Sequence, residues 1–512
     1  MEQNEWKVIN ELMSTLDSAF KFASPRFTPI ATPLASWTIH TGVLLLWIVL
    51  FAMAFRITGF WAWATGIAYI AYDTVLLVFV FWKTWRLTHS ASIELAATQP
   101  ALTDAPADGG GAPLTLGVIV AAHNEAKVLQ VTIAALLSQE HPPEQILITD
   151  DGSSDNTAQI LLQHFALAEP AVGQISAAST LAPALRWLRL PHQGKAHALN
   201  KALAHMQCDV VLTVDSDTLL EPLAVASMRN AFIQDKTLVA ATGVLSPMCK
   251  PGLSGRLFQW FQTYEYIRNF LSRYAWMQVN SLLLISGAFA AFRRSALVEV
   301  GGFDTDCLVE DYELIHRMKR FSTFQNRGWT TAVVGAARAR TEAPGDILAF
   351  LRQRRRWFGG FLQTQFWYRD MVGDRRHGWL GVAMLPVKAV DTLQPLYGLT
   401  AFVLLVYYLA TGNVASLIPV AGIISVKIGI DLAFHLWSVS LYRRWATSAP
   451  ELNGQGKLEG AYATQASFPL ALLAALVEPF TFQLLRHTGA AWGWWYFLTG
   501  KKRWDKQSRV TL

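Results

Sequence analysis

An α/β domain on a parallel sheet, inserted between the transmembrane helices of a multi-pass membrane protein, is the fold this sequence predicts. Three observations predict it. Apolar runs at residues 34–55 and 60–82, and again beyond Gly378, match the roughly 17–25 residues of a bilayer-crossing helix. Between the two sets, from Leu116 onward, short apolar runs alternate with helical stretches, the pattern of strands and crossover helices in a parallel sheet. Clusters of Asp, Asn and Glu fall at the ends of those short runs, where the ligands of such sheets bind.

Composition agrees. The 512 residues are 52% hydrophobic and only 16% charged, with a mean hydropathy of +0.26, whereas soluble domains carry about 25% charged residues. A net charge of +6 suits phosphate-rich ligands or anionic lipid and does not choose between them. Cys208, Cys249 and Cys307 are too few and too scattered for a disulfide framework or a zinc site, so a reducing setting is the default.

Taken in order, residues 1–33 read as a cytoplasmic N-terminal segment of mixed charge without a cleavable signal peptide. Residues 34–83 form a membrane hairpin. Lys7, Lys21 and Arg26 before it, with Lys83 and Arg86 after it, place both of its ends in the cytoplasm. Asp73 within the second run is costly in lipid and must face protein or the interface. Residues 90–114, rich in Ala, Thr, Pro and Gly, read as a linker. Within 115–345, strands are predicted at 116–121, 145–149, 186–190 and 210–214, and helices at 127–138, 157–165 and 195–204. Residues 346–392 read as interfacial helices. The stretch 379–390 is expected to be interfacial or re-entrant, because Lys388 and Asp391 oppose free contact with lipid. Spans at 393–410, 414–437 and 468–485 fill a C-terminal membrane region, 393–486, and 487–512 is an interfacial or cytoplasmic tail. Three such spans would leave Lys501, Lys502 and Arg503 outside the cell, so one more crossing or a re-entrant helix is expected.

Several polar groups carry two readings each. Asp150, Asp151 and Gly152 after a strand suit a turn and helix cap, or a carboxylate that accepts hydrogen bonds from a nucleotide base. Asp215 and Asp217 suit a solvated strand end, or a hard divalent cation bridging to phosphate. No Walker loop or dinucleotide fingerprint accompanies them, so phosphate binding would rest on metal and basic side chains. Lys195 at a helix start opposes the helix dipole unless an anion is near. Glu310, Asp311 and Glu313 precede a basic amphipathic helix, 314–321, as ordinary dipole partners, or with a buried Asp as proton acceptor. Ser286, Gly287 and Ala288 would let a sugar approach the backbone. Finally, residues 351–358 read LRQRRRWF. The arginines suit a membrane-edge anchor, while Gln353, Arg356 and Trp357 together suit a site that grips phosphate and stacks on a sugar. For Arg354 and Arg355, anchoring is the better explanation.

The motifs VAAHNE, TDDGSSDNT, QGKAHALN, DSDT, SGAFAAFRR, VEDYEL and QRRRW follow one another over residues 116–360. In this order they resemble the membrane-integrated processive glycosyltransferases of family 2, which include poly-N-acetylglucosamine, cellulose, chitin and hyaluronan synthases. The resemblance implies a GT-A-like, Rossmann-like cytoplasmic domain that uses a UDP-sugar. Asp151, with Asn124 and Glu125, would hold the uracil-ribose end, and Lys195 would lie on the donor side. Asp217, with Asp215, would bind Mg²⁺ or Mn²⁺ on the diphosphate. Asp311 would be the catalytic base, beside Glu310 on the acceptor side, with Val309 where the family motif has Thr. Gln353 and Arg356 would face the leaving diphosphate, and Trp357 would stack on the acceptor sugar. Trp504, Asp505 and Lys506 loosely resemble a gating-loop motif. The segments FQTYEYIRNFLSR and RTEAPGDILAFLRQRRRW resemble poly-N-acetylglucosamine synthases most, so UDP-N-acetylglucosamine is the expected donor, with UDP-glucose next. The expected partners are a growing polysaccharide or lipid acceptor, membrane lipids and accessory export subunits, without nucleic acid. The expected location is the cell inner membrane. Single transfer to a lipid carrier and a catalytically silent scaffold are the alternatives.

Overall fold

The computed structural model describes residues 2–85, 87, 113–447 and 468–500. Most of the expected linker, the Lys501–Lys502–Arg503 cluster and the Trp504 motif lie outside the described residues.

The first described element is a helix, α1 (Glu2–Ala23), which buries Leu16 and Ala23 in the same core as the central sheet. At its end Arg26 pairs with Asp304 at 2.5 Å. The hairpin follows as α2 (Leu34–Met53), a 3₁₀ turn (Gly59–Trp63) and α3 (Ala64–Thr84). Asp73 faces protein, as its cost in lipid requires, and pairs with Lys427 at 2.7 Å.

The central domain runs β1 (Leu116–Ala122), α4 (Leu129–Leu137), β2 (Gln145–Asp151), α5 (Thr157–Phe165), β3 (Leu185–Leu190), α6 (Lys195–His205) and β4 (Val210–Asp215). These strands lie in the order β3-β2-β1-β4 and are mutually parallel. Their apolar runs are continuous because both faces are covered. Val118 and Val120 of β1 join one core with α4 and α5, while Ile119 joins the other with α6.

Beyond β4 the sheet is mixed rather than parallel. It adds β5 (Thr218–Leu220), β6 (Leu238–Met248), β7 (Phe289–Arg293) and β8 (Thr330–Glu342), giving the full order β3-β2-β1-β4-β7-β6-β8-β5. β7 runs antiparallel to both β4 and β6. The helices of this half are α7 (Ala224–Gln234), α8 (Leu253–Met277), α9 (Arg294–Glu299) and α10 (Glu310–Phe324). α10 departs from the expected amphipathic helix. It starts at Glu310, and its basic residues Arg317, Lys319 and Arg320 are buried. Arg317 is neutralised by Glu313 and Arg320 by Asp370, each at 2.9 Å. Burial pushes the Lys319 ammonium down to about 7.

The QRRRW motif lies on α11 (Ile347–Trp367), started by Asp346, whose carboxylate accepts from the Ala349 N–H. A π-helical turn (Leu380–Met384) then leads directly into α12 (Leu385–Ala410), followed by α13 (Val414–Thr447), α14 (Phe468–Val477) and α15 (Phe482–Leu498). Residues 380–410 are thus continuous helix, long and apolar enough to cross a membrane, and the segment expected to be interfacial or re-entrant opens it. Lys388 and Asp391 tolerate this place because they pair at 2.7 Å and Tyr72 donates to Asp391 at 2.5 Å. Among the described residues, four helices are long and apolar enough to cross a membrane. The pair Pro469–Phe480 and Phe482–Leu498, bent by 46°, makes a fifth if it is one span, and a re-entrant element otherwise.

Candidate active site

Parallel strands end at one edge of their sheet, and here three of them bring acidic loops to that edge. The register sets Ala122 beside Asp150 and Ala121 beside Asp215, so the loops after β1, β2 and β4 are neighbours. Over this edge opens a cavity of about 1300 Å³. Asn124, Glu125, Asp151, Lys195, Asp215, Asp217, Glu310, Asp311, Gln353, Arg356 and Trp357 all line it. These candidates read from the sequence thus meet in one space, although they come from six separate segments of the chain.

At one end, Asp151 is buried and fully engaged. Its carboxylate accepts from His192 Nδ1 at 2.8 Å and from the N–H groups of Gln193 and Gly194 at 2.8 and 2.9 Å. It thereby fixes the loop that launches α6. Gly152 adopts φ +70° beside it, and a Cβ there would meet the His192 N at 2.7 Å. Asn124, at φ 58°, accepts from the N–H of Ser154 at 2.7 Å, tying the β1 loop to the β2 loop. The rings of His123 and His192 stack with centroids 4.1 Å apart. With Asp151 they bring metal-capable atoms within 4.8 Å of one another. Both Nδ1 atoms, however, already sit at hydrogen-bond distance from Asp151.

In the middle, Lys195 Nζ bonds Asp215 at 2.6 Å and lies 3.4 Å from Glu310. These are the anions that its place at a helix start calls for. Burial works against its charge, but the two carboxylates outweigh it and hold the ammonium above its ordinary range. Asp217 is buried, with Oδ1 3.4 Å from the hydroxyls of both Thr218 and Thr341. Asp215 and Asp217 offer hard oxygen donors, the set that suits Mg²⁺ or Mn²⁺.

Asp311 opens on the cavity from the first turn of α10. It accepts from the N–H of Gly287 at 2.7 Å and of Tyr312 at 2.8 Å. A side chain at position 287 would press on it, since a Cβ there would stand 3.1 Å from Oδ2. Burial, then the neighbouring Glu310, raise its carboxyl above the usual range, against the pull of Lys195. Val309 is buried, and the absence of a Cβ on Gly360 of α11 makes room for it. That contact joins the start of α10 to the helix of the QRRRW motif.

The third wall is α11. Gln353 is buried and its side-chain oxygen has no hydrogen-bond partner among the described residues. Arg356 and Trp357 face the cavity. Arg354 and Arg355, expected as membrane-edge anchors, are both buried. Arg354 pairs with Glu265 at 2.7 Å and lies 4.5 Å over the Trp357 ring. Arg355 is flanked by Trp492 and Tyr496 of α15 at 4.4 and 4.3 Å.

Two family models match this chain, "Glycosyl transferase family 2" over residues 117–301 and "Glycosyl transferase family group 2" over 210–418. The chain belongs to the family 2 glycosyltransferases. Among similar proteins is the poly-β-1,6-N-acetyl-D-glucosamine synthase of Staphylococcus epidermidis, 28% identical over 265 residues, or 49% of this chain and 56% of that one. The synthase of the same name from Staphylococcus aureus strain COL is 27% identical over 47% of this chain and 53% of its own length. The chain thus spans about half the length of the curated relatives it matches. Among solved structures, a mannosyltransferase from Pyrobaculum calidifontis in complex with GDP-mannose and Mn²⁺ aligns with 80% of this chain and 99% of its own, at 19% identity and a TM-score of 0.45.

The sequence reading missed one part of this glycosyltransferase's cavity. Tyr266, Asn269 and Arg273 of α8 also line it. Their signal was present in FQTYEYIRNFLSR as polar residues at a spacing of three and four, the spacing of one helical face.

Proposed function

We propose that this chain is an inverting, processive glycosyltransferase that extends a β-linked exopolysaccharide from a UDP-hexose, with UDP-N-acetylglucosamine as donor. The observation that carries this reading is the single cavity. It runs from the carboxylates at the sheet edge, past Asp311 and Trp357, to residues of α12 and α15 in the membrane region. The names of the staphylococcal relatives support both polymerisation and the choice of sugar.

In this reading the β1 and β2 loops around Asn124, Glu125 and Asp151 hold the nucleoside. Lys195 orients Asp215 next to the diphosphate. Asp215 and Asp217 would hold a divalent cation, which neutralises charge on the diphosphate. Asp311 takes the proton from the acceptor hydroxyl, and its neighbour Glu310 lies on the acceptor side. Gln353 and Arg356 offer hydrogen bonds to the departing UDP, while Trp357 holds the acceptor ring by stacking. The catalytic domain lies at the cytoplasmic face of the inner membrane, and the cavity's continuation between the helices serves the growing chain.

Purified protein given a panel of radiolabelled nucleotide sugars tests the proposal. Release of UDP with a high-mass, glycosidase-sensitive product from UDP-N-acetylglucosamine is expected. A single chloroform-soluble product would instead establish one transfer to a lipid. No UDP release with any donor would leave the silent scaffold.

A further inference from the structure

Tyr266, Asn269 and Arg273 occupy positions i, i+3 and i+7 of α8, one face of the helix. All three are half-buried and line the cavity. The Tyr266 hydroxyl, the Asn269 amide and the Arg273 guanidinium make no hydrogen bond or ion pair with any described residue. Half-buried polar groups without protein partners await water or ligand, and three on one cavity wall make a hydrogen-bonding surface.

The position of this face says what it meets. Glu265, next to Tyr266, holds Arg354, and Arg354 covers the Trp357 ring, so α8 and the stacking tryptophan share one side of the cavity. Arg273 is within electrostatic reach of Asp311, and burial pushes its guanidinium down to about 10 even against the pull of Tyr266 and Asp311. Carboxylates near this wall already have cations of their own: Glu265 pairs with Arg354, Asp391 with Lys388, and Glu310 shares Lys195 with Asp215. Arg273 has no ion pair with any described residue, and it stays cationic at neutral pH.

We propose that Tyr266, Asn269 and Arg273 form a saccharide-binding face for the acceptor, whose unmatched cation admits neutral or anionic sugars and disfavours cationic amino sugars. The assignment to the acceptor rests on the proposed transfer reaction; the binding face itself does not. Hydroxyl and N-acyl oxygens accept from Asn269 and Arg273, whereas a glucosamine ammonium meets a like charge at Arg273.

The test measures binding by the full-length protein in nanodiscs to a β-1,6-linked N-acetylglucosamine pentasaccharide and to its de-N-acetylated counterpart. The wild type should bind the neutral sugar at least about tenfold tighter than the cationic one. Arg273→Gln should erase that preference and Arg273→Lys should keep it, with UDP affinity unchanged in both. Asn269→Ala should weaken both sugars alike. Equal binding of the two sugars by the wild type, no saccharide binding, a preference that survives Arg273→Gln, or a matching loss of UDP affinity would each overturn the proposal. A wild type that discriminates between the sugars yet transfers from no nucleotide sugar would defeat the proposed reaction and leave the binding face standing.

Discussion

Two clusters of buried charge meet in this molecule, and they are arranged in opposite ways. Where α8 and α11 join the C-terminal membrane helices, each carboxylate has a cation at contact distance. Glu265 takes Arg354, and Glu478 takes Arg268 with His435 at 3.5 Å and Arg486 at 3.8 Å. At the sheet edge, Lys195 is shared by Asp215 and Glu310, while Asp311 is supported by backbone N–H groups. Glu265 and Glu310 are almost equally buried, at 3% and 5% exposed, so burial does not separate the two places. Matching does. A matched cluster is mechanical, since it holds helices in position. An under-matched one keeps charge available for a metal, a diphosphate or a proton.

The strongest way to break this contrast is at Asp311. If it accepts the proton, Asp311→Asn should lower transfer about 10²–10⁴-fold while UDP still binds. The sign of its titration adds a control. A carboxyl raised by burial favours the fold when protonated and weighs against it when ionised at neutral pH. Asn removes that cost, so the variant should melt no lower than the wild type at pH 7. In the wild type, kcat/KM should fall on the acid side at a pH above the ordinary carboxylate value of 3.8, as the base takes up its proton. An inactive Asp311→Asn that also loses UDP or melts early would make the residue structural.

Glu265 breaks the matched side. Glu265→Gln leaves Arg354 and Arg486 facing a neutral group in a buried site, where removing one partner of an ion pair costs about 3 kcal/mol or more. The expected result is a lower melting temperature with UDP affinity unchanged in the protein that remains folded. An unaltered melting temperature would mean that the junction is not held by this network.

Legibility in the sequence divides along the same line. The β1–β4 half was readable almost to the residue, because strands buried on both faces are continuous apolar runs and their helices show a 3.6-residue period. The second half was not. β7 reverses direction, and β8, with the alternation ARART, carries arginines on a strand. The cavity residues were readable because strand ends and short motifs place them locally. Charge matching was invisible, since Arg354 finds its partner 89 residues away in sequence. Unpartnered side chains such as Arg273 were hidden for the same reason.

Arg355 gives the smallest effect and the finest distinction, because the two explanations of it differ only in shape. A membrane-edge anchor needs positive charge, which Lys supplies as well as Arg. A planar guanidinium lying over the Trp492 and Tyr496 rings needs a flat face, which Lys lacks. Arg355→Lys keeps the charge and loses the stacking, so it should cost about 1 kcal/mol, seen as a small drop in melting temperature. Because the same contacts bind α11 to α15, and Arg356 and Trp357 follow on α11, a modest fall in transfer should accompany it. An Arg355→Lys protein that melts and turns over like the wild type would return this residue to anchoring, and the matched cluster would then end at Arg354.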